Sequence, residues 1–138
     1  MQDHLNQALH NHKFISECCT NYPNDYFDWK VTATFYCALH ILRAFCEARG
    51  VNPGRNHFDI RQSLNPSGKQ IMPSKTHAWK AYNKLQEYSE VARYDTFLSA
   101  EIENETQRDN FENCLKRIDE LKGYFKSEGV TLDETKAA

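Results

Sequence analysis

Between the turn-forming Pro23-Asn24-Asp25 and Gly50 lies the most apolar segment of the chain, residues 26–49. A helix of that length, apolar around most of its circumference, has to be surrounded by other elements, so the rest of the fold is built against it. Asp25 is expected to cap its start, and Gly50 to sit just past its end as a C′ residue. Projected at about 100° per residue, Val31, Phe35, Ala38, Leu39, Leu42, Phe45 and Cys46 share one face. Trp29, Tyr36, His40, Arg43 and Glu47 gather on another, which is polar and aromatic at once.

The flanking segments supply the partners. Leu5, Ala8, Leu9, His12, Ile15 and Cys19 recur at helical steps between Asp3 and Tyr22. The connection from Gly50 to Pro73 holds three of the four prolines and three of the five glycines. Inside it, residues 58–64 make a short amphipathic piece that Asn56 can cap. Ser74 can cap a helix running to Tyr94, with Ala78, Tyr82, Leu85, Ser89 and Ala92 inward. A last helix begins near Asn104 and stops before Gly129, with Phe111, Cys114, Leu115, Ile118, Leu121, Lys122 and Phe125 on one stripe. No run carries hairpin turn chemistry, so the fold class is all-α. The simplest arrangement is an up-and-down four-helix bundle whose long connection between helices 2 and 3 carries a short helix. A chain of 138 residues suits one domain; residues 1–128 are expected to form it and residues 129–138 a frayed tail.

Charge and motifs then narrow the function. A net charge of -2 removes the globally basic signature of many nucleic-acid-binding domains and leaves room for a local basic patch. No apolar run is long enough to span a membrane, and the Met1-Gln2-Asp3-His4 start lacks the basic and apolar regions of a signal peptide, so a cytoplasmic protein is expected. The five cysteines are odd in number and form no C-x-x-C, and are expected to be reduced and mostly buried. His4, His10 and His12 have no carboxylate or cysteine at a convincing ligand spacing, so neither a metal nor a cofactor is expected. Phosphate-loop, dinucleotide, nucleophile-elbow and H-E-x-x-H motifs are absent.

Three places can carry chemistry. Tyr36, His40 and Arg43 fall at four- and three-residue steps, so a phenol, an imidazole and a guanidinium can converge on a ligand or on a partner's helix, or bond to neighbouring helices. If Asn56 caps the short helix, His57 and Arg61 lie one turn apart, as a proton-transfer group beside an anion-stabilising one, or as a packed imidazole beside a surface ion pair. Arg93 stands in the last turn of the third long helix, where a cation also complements the helix dipole.

The run Asp28-Trp29-Lys30-Val31-Thr32-Ala33-Thr34-Phe35-Tyr36-Cys37-Ala38-Leu39-His40, then His57-x-x-x-Arg61, then Ser89-Glu90-Val91-Ala92-Arg93-Tyr94-Asp95, resembles the small prokaryotic HEPN-domain proteins over about residues 5–125. The resemblance implies a helical up-and-down bundle, frequent homodimers and, in many members, metal-independent endoribonuclease activity in toxin, antiviral or stress systems. In active members an Arg and a His with four to six residues between them form the cleaving pair, and that spacing is absent from this sequence. Here Arg49 and His57 have seven residues between them, and Arg55 and His57 have one. The family-like set is therefore Trp29, Tyr36, His40, His57, Arg61, Arg93 and Tyr94. Two functions remain open. The first is RNA or nucleotide binding, with RNA cleavage through His57 and Arg61 or Arg93 in a defence or toxin-antitoxin setting. The second is a non-catalytic dimeric module that docks a protein partner, such as a nucleotidyltransferase-like antitoxin, on Trp29, Tyr36 and His40.

Overall fold

The computed structural model describes residues 1–65, 76–94 and 100–134, with the side chains of residues 63, 64, 76, 94 and 100–103 outside that description. The helices are α1 (Gln2–Asn21), α2 (Phe27–Ala48), α3 (His57–Leu64), α4 (Thr76–Tyr94) and α5 (Ala100–Ser127). Among the described residues there is no strand. Four long helices with a short one in the second connection give the all-α architecture expected from the sequence. Ser74 and the remainder of that connection lie outside the described residues.

α2 packs against α1, α4 and α5, α4 packs against α5, and α3 lies on α4. Its central position follows from its composition, since thirteen of its 22 residues are buried and they cover more than one face. Val31, Phe35, Leu42 and Phe45 are fully enclosed, each such side chain contributing roughly 1.5–3 kcal/mol of burial free energy. From the other helices, Leu5, Ala8 and Ile15, then Ala78, Tyr82 and Leu85, then Phe111, Cys114, Ile118, Leu121 and Phe125 close the core. Leu115, placed on the last stripe by its spacing, is instead exposed.

The helix ends explain the boundaries. Past α2, Gly50 adopts φ 66°, its N–H donates to Glu47 O at 3.1 Å, and Val51 N–H reaches back to Cys46 O at 2.8 Å. Past α5, Gly129 at φ 93° and Val130 repeat the pair of bonds on Lys126 and Phe125. Both are glycine-terminated caps that satisfy carbonyls the helix leaves open. The start of α2 corrects the expectation that Asp25 caps it. Tyr26 takes the left-handed conformation, φ 58° and ψ 32°, so the helix begins only at Phe27, and Asp25 Oδ1 accepts the N–H of Tyr26 itself at 2.7 Å. Lys30 secures this corner from within: buried, it donates to Tyr22 O and stands 4.4 Å from the Phe27 ring centroid.

After Gly129, Val130 is buried, Leu132 packs on the core and Glu134 pairs with Lys122. The cysteines are free thiols, with Cys37, Cys46 and Cys114 buried, Cys18 intermediate and Cys19 exposed. Burial pushes Cys37 and Cys114 up to about 12 and Cys46 to about 11. Among the described residues, no helix is long and apolar enough to cross a membrane.

Candidate functional site

The site begins with a cap. Asn56 Oδ1 accepts the Asp59 N–H at 2.8 Å, which starts α3 and makes His57 its first residue. From there the imidazole packs edge-on against Phe35, centroids 5.4 Å apart, and against Tyr36 at 6.2 Å. His57 Nδ1 is buried and has no hydrogen-bond partner.

Arg93 arrives at the same phenol from α4. Its Nη1 donates to the Tyr36 hydroxyl at 3.2 Å, and its guanidinium carbon lies 5.7 Å from the ring centroid. Two further bonds anchor it within its own helix: Nε to Ser89 O at 3.2 Å and Nη2 to Ser89 Oγ at 3.1 Å. Tyr36 therefore touches His57 with its ring and Arg93 with its hydroxyl.

The electrostatics favour a neutral imidazole. Burial pushes His57 below its ordinary value, the charges of Arg93 and Arg43 push the same way, and Glu90 opposes them. Beneath, the Tyr82 hydroxyl is buried without a partner, and burial drives its ionisation up against the nearby charges of Arg43 and Arg61. Buried polar groups without partners are uncommon, and two of them here adjoin one set of arginines. Phe58, next to His57 on α3, is the most exposed large apolar side chain among the described residues, at 61%.

The remaining residues singled out by sequence separate. Arg61 donates from Nη1 to Asn83 Oδ1 at 3.2 Å, and Asn83 in turn donates to Glu87 at 3.1 Å. That guanidinium is committed to α4 and is not among the charges acting on His57. His40 stacks on His4, centroids 5.4 Å apart and Nδ1 atoms 3.2 Å apart, while Glu47 meets the Met1 amino group at 2.6 Å. The start of α1 thus covers the far end of the α2 polar face. At the near end Trp29 is 59% exposed, beside Phe14, Tyr22 and Tyr26. Tyr94 ends α4, with its side chain outside the described residues.

Spacing on α2 suggested one continuous face; the structure divides it among three neighbours. Sequence reading passed over Glu90 and Tyr82 as site members. Glu90 precedes Arg93 by three residues on one helix, a spacing that brings side chains together, and was readable on that ground. Among the described residues no three or more His, Cys, Asp or Glu side chains gather in a way that could hold a metal ion.

No curated protein and no solved structure matches the chain. The family model of the HEPN domain matches residues 1–128, a span that takes in all five helices and both sides of the Tyr36 junction. The chain belongs to the HEPN domain family.

Proposed function

We propose that this HEPN protein binds RNA and cleaves it by acid–base chemistry of its own side chains, with His57 as the base and Arg93, assisted by Arg43, as the anion-binding group. The observation that carries this reading is the Tyr36 junction, where one side chain holds an imidazole and a guanidinium together. Membership of an RNA- or nucleotide-related family supports it.

Because His57 Nδ1 is buried, Nε2 is the nitrogen that meets substrate. It takes the proton of a ribose 2′-hydroxyl, and the 2′-oxygen bonds to the adjacent phosphorus as the bond to the 5′-oxygen breaks. The leaving 5′-oxygen takes a proton from water. The products are a 2′,3′-cyclic phosphate and a 5′-hydroxyl, and His57 returns its proton to solvent. Arg93 offsets the charge that builds on the phosphate oxygens, and its anchoring to Ser89 means little reorganisation is needed as that charge develops. Tyr36 is a positioning residue for both groups. Arg61, held by Asn83, stays outside the reacting pair.

The test is cleavage of an end-labelled RNA pool in EDTA. Wild type is expected to cleave, His57→Ala to lose about 10²–10⁴-fold and Arg93→Ala about 10²–10³-fold. Intact RNA with wild type would overturn the reading in favour of a non-catalytic dimeric module. The exposed aromatic cluster of Phe14, Tyr22, Tyr26 and Trp29 is the surface that would then dock a partner such as a nucleotidyltransferase.

A further inference from the structure

A concavity lies away from His57, between the α1–α2 turn and α5. Its volume is about 460 Å³, and its walls include Asp25, Asp28, Trp29, Asn104 and Gln107. Asn104 clasps the rim by donating to Asn24 O at 3.3 Å. The side chain that calls for explanation is Gln107. It is 2% exposed, and neither Nε2 nor Oε1 has a hydrogen-bond partner. An amide buried with its donor and acceptor both unmet is destabilising, and such groups in folded chains call for a cause.

The surroundings define what would meet that amide. The group must offer a donor and an acceptor side by side, as the edge of a nucleobase does. It must be planar on its other surface, because Trp29 presents an exposed indole at the mouth. A neutral group suits the pocket better than a phosphate, since the ionisable side chains on its walls are the acids Asp25 and Asp28 beside Tyr26, while the nearby cations Lys30 and Arg108 lie over the Phe27 ring, Lys30 donating to Tyr22 O. Asp25 already uses Oδ1 on the Tyr26 N–H, and a carboxylate has further lone pairs with which Asp25 and Asp28 can accept the N–H groups of a ligand.

We infer that this pocket binds one unpaired nucleobase carrying an exocyclic amino group, with Gln107 pairing its edge and Trp29 stacking on its face. Adenine and cytosine both set an amino group beside a ring-nitrogen acceptor that a glutamine amide matches in bidentate fashion, and adenine fits best because its two fused rings give Trp29 more surface to stack on. Uracil also offers a donor and an acceptor side by side, but its one free ring N–H is spent on Gln107 and leaves none for Asp25 and Asp28, so it fits worst. The inference deepens the RNA reading above and rests on it. Trp29 and Tyr36 are seven residues apart on α2, hence on nearly the same side and about 10 Å apart along the axis. One strand therefore places a base in this pocket and a nearby phosphate at Arg93.

The experiment is calorimetric titration of the full chain with adenosine, guanosine, cytidine, uridine and ribose 5-phosphate. Adenosine is expected to bind, uridine at least tenfold more weakly, and ribose 5-phosphate not at all. Trp29→Ala, a change at an exposed position, should abolish adenosine binding. Gln107→Leu should weaken it tenfold or more and retain the helical circular dichroism spectrum, because it removes an unmet amide without opening a void. Absence of nucleoside binding overturns the pocket, as does adenosine binding that both variants leave unchanged. RNA cleavage separates the two readings. Adenosine bound through Trp29 and Gln107 by a chain that leaves RNA intact keeps the pocket and removes the nuclease. Cleavage that depends on His57, with a base preference Gln107→Leu does not alter, removes the pocket and keeps the nuclease.

Discussion

His57 stands where burial, Arg93 and Arg43 all resist its protonation and only Glu90 favours it. A base so placed stays unprotonated into mildly acidic solution. The rate of RNA cleavage should therefore fall on the acid side with a midpoint below the ordinary imidazole value of 6.5, measured as kcat/KM against pH. Arg93→Lys should move that midpoint less than Arg93→Ala, which takes away an opposing charge and raises it. Stability follows the same sign. His40 is also pushed down, by burial first and then by His4 and Arg43, so the folded chain refuses two protons that the unfolded chain accepts. Their contribution is complete above about pH 6.5 and is lost as pH falls below it. The urea midpoint at pH 5.5 should thus lie below that at pH 7.5, and His57→Phe should shrink the gap. The candidacy of His57 was legible from its place after a capping asparagine. Its pairing with Arg93 rather than Arg61 was not, because that choice depends on which way α4 presents its last turn.

Helices explain both the success and the limits of reading this chain from its letters. The apolar stripes of α2, α4 and α5 were legible because a helix repeats every 3.6 residues and one face must leave water. The Asn56 cap was legible too, since a short polar side chain ahead of an amphipathic stretch has few better uses. Asn56→Ala should cost about 1 kcal/mol in chemical denaturation, and if α3 frays, RNA cleavage should fall further than stability does. The start of α2 was misread for an opposite reason: nothing local marks a tyrosine for the left-handed region, which costs an ordinary residue roughly 1–2 kcal/mol. Tertiary contacts hold it there, through the Tyr22 ring at 4.9 Å and Lys30 tying Tyr22 O to the same corner. Likewise the α2 polar face read as one surface, because its division among α1, α3 and α4 is a property of neighbours.

For the molecule as a whole, a net charge of -2 means that the RNA binding proposed above would rest on a few local cations rather than on a general field. Arg43 and Arg93 can neutralise about two phosphates, Arg61 being held by Asn83. The logarithm of RNA affinity should then fall with the logarithm of salt at a slope of about -2, far shallower than for a basic domain. A slope beyond about -5 would place binding on a different surface. The same global view bears on the thiols. Three of the five are sealed in the core and driven to about 11 or 12, while Cys19 stands at the surface of α1. The native chain consequently offers a preferred attachment point for a maleimide dye or spin label, on the helix that precedes Trp29. It carries its own handle for reporting, by energy transfer or by dipolar distances, whether two copies come together and whether RNA draws them closer.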